Sequence, residues 1–103
     1  MEMQKAKVEI DADLQDLIPQ FLENRKKDIE SLKALVQQND LEAIGQLAHK
    51  MKGAAAGYGF VQLSEYAAQI ESAARAKNSA PIPQLLDKMK AHFENIEVRF
   101  VSM

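Results

Sequence analysis

The sequence predicts an all-α protein: an antiparallel up-down-up-down four-helix bundle with a short extra helical turn at its N-terminus. Three observations lead there. Apolar residues recur at spacings of three and four from Leu14 to Phe100, stop and start residues divide that run into pieces of helical length, and the joints look no longer than about six residues. Joints that short force antiparallel neighbours. Residues 1–103 are expected to form a single domain, because 103 residues suffice for one hydrophobic core and not for two. No strand-like alternation stands out, and there is no internal repeat.

The first stripe is Leu14, Leu17, Ile18, Phe21, Leu22, Ile29, Leu32, Leu35 and Val36. Pro19 falls inside it. Proline lacks an N–H and clashes with the preceding turn, so it fits best in a first turn. The segment therefore divides into a lead-in turn near Ala12–Ile18 and a main helix from about Pro19 to Gln38. Asn39-Asp40 ends that helix and can cap the next, since a short polar side chain accepts from free backbone N–H groups. The second helix starts at Leu41, turns Leu41, Ile44, Ala48, Met51, Ala55 and Tyr58 inward, and stops at Gly57 and Gly59, glycine being able to take the left-handed closing conformation. The third carries Val61, Leu63, Tyr66, Ala67, Ile70, Ala73 and Ala74 on its inner face and ends at Lys77-Asn78. Ser79-Ala80-Pro81 opens the fourth, whose stripe of Ile82, Leu85, Leu86, Met89, Phe93, Ile96 and Phe100 predicts a helix running to Phe100.

The chain is 47% hydrophobic and 27% charged, in the range of an ordinary folded protein. Its formal net charge of -2 supplies no global field toward nucleic acid or anionic lipid, so no nucleic-acid or membrane partner is expected. The absence of cysteine excludes a disulfide framework, a thiolate metal site and a cysteine nucleophile. No window approaches the ~20 apolar residues of a membrane span, and MEMQKAKVEI lacks the apolar core of a secretory signal. A cytoplasmic setting is the simplest expectation.

One surface of the second helix stands apart from this pattern. A helical wheel groups Gly45, His49, Lys52, Gly53 and Ala56 away from the core stripe. Two glycines in a helix interior cost roughly 1 kcal/mol each relative to alanine, so stability does not select them. Glycine permits close approach, and the bare surface around His49 reads as a place where another macromolecule docks. Gly45, Lys50, Gly53, Ala56 and Phe60 are the candidate partner contacts. A metal site is disfavoured: the other histidine, His92, lies on the fourth helix, and no carboxylate follows His49 at a helical spacing. Alanine, glycine and lysine make a poor pocket for a small substrate, whereas Lys50 and Lys52 suit phosphoryl oxygens. A phosphorylated histidine fits these neighbours best.

His49-Lys50-Met51-Lys52-Gly53, with Gly59 six residues beyond Gly53, resembles the H-x-x-K-G…G signature of histidine-containing phosphotransfer (HPt) domains of two-component phosphorelays. The resemblance extends over essentially the whole chain, because that family is a four-helix bundle with its histidine on the second helix. Ala54 and Phe60 depart from the serine and alanine common at those positions. The resemblance implies that His49 accepts a phosphoryl group from the aspartyl phosphate of one response-regulator receiver domain and passes it to another's aspartate. Lys52 would then neutralise the transferred charge. Glu71, at the position where the family commonly has a Gln or Glu, would orient the imidazole so that Nε2 attacks, and Arg75 would help or pair with Glu71. A hybrid histidine kinase is a further possible partner. No intrinsic cofactor is implied, Mg²⁺ is expected on the receiver, and the module should be a monomer without autonomous kinase activity. Two alternatives stay open: the phosphoacceptor domain of a chemotaxis-type histidine kinase, and a non-catalytic adaptor bundle in which His49 is incidental.

Other residues have plainer readings. Lys50 reads as a solvated charge, His92 as partly buried and structural, and Arg25-Lys26-Lys27 as a solvated face of the first helix. Phe60 either staples the turn or forms an exposed apolar rim.

Overall fold

Each helix begins and ends where local chemistry requires. In the computed structural model, which describes residues 5–102, a strand β1 (Ala6–Asp11) leads into a 3₁₀ turn (Ala12–Leu17) and then into helices α1 (Ile18–Gln37), α2 (Leu41–Tyr58), α3 (Val61–Arg75) and α4 (Ile82–Glu94), followed by β2 (Ile96–Val101). The Asp11 carboxylate caps the 3₁₀ turn through the Asp13 N–H, Pro19 sits in the first turn of α1, and Asp40 caps α2 by accepting from the Ala43 N–H at 3.1 Å. Three helices close in the same way. The residue after the last turn adopts a left-handed conformation (Asn39, Gly59, Lys77), and the next N–H reaches back to the last turn: Asp40 to Leu35, Phe60 to Ala55, Asn78 to Ala73. Only Gly59, at φ 94°, does so without a Cβ penalty, and a Cβ there would also meet Ile10 Cδ1 at 3.4 Å.

Consecutive helices pack together and α1 closes against α4, forming the four-helix bundle with its extra N-terminal turn. The core runs through all of it, with Phe21, Leu32, Ile44, Met51, Leu63, Ile70, Ile82 and Met89 buried. None of the helices among the described residues is long and apolar enough to cross a membrane.

The sheet corrects the expectation of no strands and of a fourth helix running to Phe100. β1 and β2 pair in parallel with Val8 opposite Val98 and Ile10 opposite Phe100. Both strands alternate: Ala6, Val8 and Ile10, and Ile96, Val98 and Phe100, are the more covered positions, while Lys7, Glu9, Glu97 and Arg99 face solvent. Ile96 and Phe100 lie four apart and so fit a helical stripe equally well. The chain turns at Asn95, whose Nδ2 donates to the Ala91 carbonyl at 2.7 Å, and the β-branched Ile96, Val98 and Val101 favour the extended backbone that follows.

Four side chains are also placed otherwise than the sequence reading suggests. Arg25 is buried, with Nε donating to Asp28 at 2.9 Å and its guanidinium 5.0 Å from the Phe21 ring centroid, so only Lys26 and Lys27 of the basic run are solvated. Leu17 and Val61, both expected inward, are exposed, the one at the end of the 3₁₀ turn and the other at the start of α3. Phe60, 1% exposed, stacks on Phe21 at 4.6 Å beside Tyr58, so it staples the α2–α3 turn and forms no exposed rim.

His92 is half-buried against Tyr66, and its Nε2 is buried without a hydrogen-bond partner among the described residues. Burial disfavours the imidazolium and pulls its pKa below the ordinary 6.5. The unfolded chain therefore binds the proton more readily. His92 costs no stability above pH 6.5, and stability declines as pH falls below that value toward the lowered folded one. His92→Phe is expected to remove this decline and, by deleting an unpaired buried polar atom, to stabilise the fold by about 1 kcal/mol. Thermal unfolding of both proteins between pH 7.5 and about 5.5 checks it; parallel curves would contradict it.

Candidate functional site

The surface around His49 is built by the register of α2 against α3. Ala48, Met51 and Ala55 seat α2 on the core, while Leu63, Ala67, Ile70 and Ala74 do the same for α3. That turns His49 and Lys52 toward the seam where Glu71 rises from α3. Small residues on both helices allow the close approach. Gly45, buried one turn before His49, belongs to this crossing: a Cβ there would meet Ala74 Cβ at 3.6 Å and Arg75 Cγ at 3.9 Å. It is a packing position and not part of the open surface, which corrects its place among the partner contacts. An alanine would fit at ordinary contact distance.

Glu71 is the centre of the cluster. Its side chain is 8% exposed, whereas those of His49, Lys52 and Arg75 are 61%, 36% and 65% exposed. Lys52 Nζ donates to Oε1 at 2.6 Å, His49 Nδ1 lies 2.8 Å from Oε2, and Arg75 Nη2 forms an ion pair with the same Oε2 at 2.7 Å. The Lys52 hydrogen bond does most to hold the Glu71 carboxyl below the ordinary carboxylate pKa. Burial pushes the other way, and the His49 bond adds to the lowering. Glu71 is thus an ionised, acceptor-only group, which requires that His49 Nδ1 carry the proton in this contact. In the neutral ring the lone pair is then on Nε2.

The other predicted contacts divide clearly. Lys50, Gly53 and Ala56 are exposed, and apart from the chain neighbours and the helix's own backbone no atom of the described residues lies within 4 Å of a Cβ built on Gly53 or on Gly57. The imidazole therefore stands on ground cleared of side chains. Ser64 was not anticipated. Its hydroxyl donates to the Lys52 carbonyl at 3.0 Å and ties the first turn of α3 to the turn of α2 that carries the site. A serine in a first helical turn gives no sequence signal for a cross-helix bond, so this contact needed the structure. Among the described residues no group of three or more His, Cys, Asp or Glu side chains is placed to hold a metal ion.

Comparison with known proteins agrees with this geometry. The Hpt domain family matches residues 3–98. The chain is similar to the crystal structure of histidine-containing phosphotransfer protein B (HptB) from Pseudomonas aeruginosa PAO1, with 29% sequence identity and a TM-score of 0.74 over 76% of this chain and 68% of that one. No curated protein sequence matches the chain. With the family matched over nearly its whole length and an imidazole set on a bundle surface, the chain belongs to the Hpt domain family, the histidine-containing phosphotransfer modules that relay phosphoryl groups among the response-regulator and histidine-kinase components of two-component systems.

Proposed function

We propose that His49 is the phosphoacceptor and that it relays the phosphoryl group between aspartates of receiver domains. One observation carries this reading: an exposed imidazole whose Nδ1 is held by a buried, ionised carboxylate, with no hydrogen-bond partner on Nε2 among the described residues and open space over Gly53 on the next turn. Nε2 attacks the phosphorus of an aspartyl phosphate in line. The N–P bond forms as the P–O bond to the donor carboxylate breaks, and the carboxylate keeps the electron pair. Glu71 aims the ring, Lys52 contributes positive potential beside it, and the divalent cation such transfers use belongs to the receiver. Residues 1–103 act, in this reading, as one module, cytoplasmic and monomeric; the core that runs from Ile10 to Met89 supports their being a single unit.

The test is transfer from a receiver domain phosphorylated on its aspartate. The protein should take up acid-labile, alkali-stable label and lose it when a second, unphosphorylated receiver is added. Uptake of acid-stable label, or none from any receiver that a hybrid kinase phosphorylates, would contradict the proposal.

Gly53 separates docking from folding. It sits in a helix interior with open space where a Cβ would lie, so Gly53→Ala is expected to stabilise the protein by about 0.5–1 kcal/mol. Gly53→Gln should fold as well and yet slow receiver-dependent transfer by about tenfold, its side chain standing where the partner must approach. Denaturant melts and transfer kinetics of the two variants check this together. Transfer at the parent rate by Gly53→Gln would remove the docking role.

A further inference from the structure

Strand β1 is paired on one side only. The Ala6 N–H donates to the Asn95 carbonyl at 2.8 Å in a register that sets Ala6 opposite Ile96, so Ala6, Val8 and Ile10 are the residues that bond to β2. In a parallel pair the residues between them point their backbone groups the other way. The N–H and carbonyl of Lys7 and of Glu9 therefore face outward, and among the described residues no backbone bond outside the sheet reaches them. An open groove of about 470 Å³ runs beside them, with Ala6, Lys7, Val8 and Glu9 on one side, Gly59 and Val61 on the other, and no residue of β2 in its lining. Val61 is 64% exposed there.

Such an edge accepts another extended segment, and its side chains specify which one. An antiparallel strand meets Lys7, Val8 and Glu9 best with an acidic, an apolar and a basic residue, which in its own direction reads basic, apolar, acidic. β1 itself has that order. Centred on Val8, two copies set Lys7 of each opposite Glu9 of the other and, one step further out, Lys5 opposite Asp11. The backbone agrees. Bonded and unbonded positions alternate in an antiparallel pair, and this register puts the outward-facing Lys7 and Glu9 in bonded pairs and Val8, committed to β2, in the unbonded pair where side chains stand closest. Within one copy Lys7 already stands opposite Glu97, and Glu9 opposite Arg99. Across both copies a row of the solvent face then reads Glu97, Lys7, Glu9, Arg99, so the charges alternate in sign from strand to strand. An edge charged with one sign keeps copies apart; this one carries both signs, in the order that attracts.

We infer that β1 is a self-pairing edge, which joins two copies of this chain into one sheet in the order β2-β1-β1-β2. The second strand fills the groove, and its Val8, on the bundle side of the sheet, gives Val61 an apolar neighbour. One short strand pair is a small interface, so the dimer is weak, with a dissociation constant of about 0.1 mM; well below that concentration the protein is the monomer taken above as the phosphotransfer module. His49 precedes Gly59 by about 15 Å of helix at 1.5 Å per residue and lies outside the groove.

Analytical ultracentrifugation and amide hydrogen exchange, on protein from about 10 µM to about 1 mM, provide the test. The average mass of the parent should rise toward twice that of the chain, and the Lys7 and Glu9 amides should exchange about fourfold more slowly at the upper concentration, in step with the dimer fraction. Lys7→Glu and Glu9→Lys each set like charges opposite one another twice per dimer, and each alone should weaken pairing by about tenfold or more. Mixed in equal amounts, the two variants should pair with each other about as the parent pairs with itself, because two acidic edge positions then meet two basic ones, a recovery that misfolded variants could not show. A parent that stays monomeric at the upper concentration, or that dimerises with those two amides unprotected, overturns the inference. So does a mixture that pairs no better than either variant alone.

Discussion

His49→Gln is expected to abolish phosphoryl uptake, by at least about a thousandfold, because it removes the atom that forms the N–P bond and puts an amide of no comparable nucleophilicity in its place. The fold should be indifferent to the change. The side chain is 61% exposed, its one polar contact among the described residues is with Glu71 Oε2, and the Gln amide can still donate there. Substitutions at such positions stay within about 0.5 kcal/mol, or roughly two to four degrees in melting temperature for a domain of this size. Label uptake and a thermal melt on the same preparation check both halves. His92→Phe is the necessary control, since it removes the other imidazole. The Nε2 of His92 is buried, so that variant should label like the parent. Acid-labile label retained by His49→Gln and lost by His92→Phe would move the phosphoacceptor to the wrong side of the bundle and end the assignment.

How far the sequence could be read depended on whether a feature was local. The caps at Asp40 and Gly59, the placement of Pro19 and the cleared ground at Gly53 are each written within a few neighbouring residues. The Glu71–Lys52 bond joins residues nineteen apart in the chain. It depends on the register of α2 against α3, which no single helix encodes, and Glu71 was named in the sequence only through the family resemblance. Gly45 shows the same limit from the other side: on a wheel it lines up with His49, but the crossing of α3 buries it. Arg25 was misread because charge in sequence suggests solvent, whereas Asp28 and the face of Phe21 satisfy its guanidinium under cover. The two strands were missed: alternation is present in AKVEID and IEVRFV, but each is only six residues long, and Ile96 and Phe100 fit a helical stripe as well. Each strand finds its partner at the opposite end of the described chain, and local periodicity is silent on that pairing.

Glu71→Leu is expected to cut phosphotransfer by about ten- to a hundredfold, the usual consequence of losing the group that fixes a reacting imidazole. Without the carboxylate, Nδ1 has no acceptor to favour its proton, the tautomer with the lone pair on Nε2 is no longer selected, and the ring is free to rotate. Glu71→Gln keeps a carbonyl oxygen that can accept from Nδ1, and should retain within about tenfold of the parent rate. Stability behaves differently. At neutral pH Glu71→Leu should lie within about 1 kcal/mol of the parent, because Lys52 and Arg75 can turn to water while a buried leucine gains packing. The distinction appears in acid. The Glu71 carboxyl is held below its ordinary value of 4.5, chiefly by Lys52, so the stabilisation it contributes is complete above that value and is lost as pH falls through the lowered folded one. Both variants should therefore lose less stability than the parent between pH 5 and about 3, a window that lies below the one set by His92. Denaturant melts across both windows separate the two groups. If Glu71→Leu transferred phosphate at the parent rate while its acid response flattened as described, the carboxylate would be a structural anchor for Lys52 alone, and the orientation of the His49 ring would have to come from the receiver that docks on it.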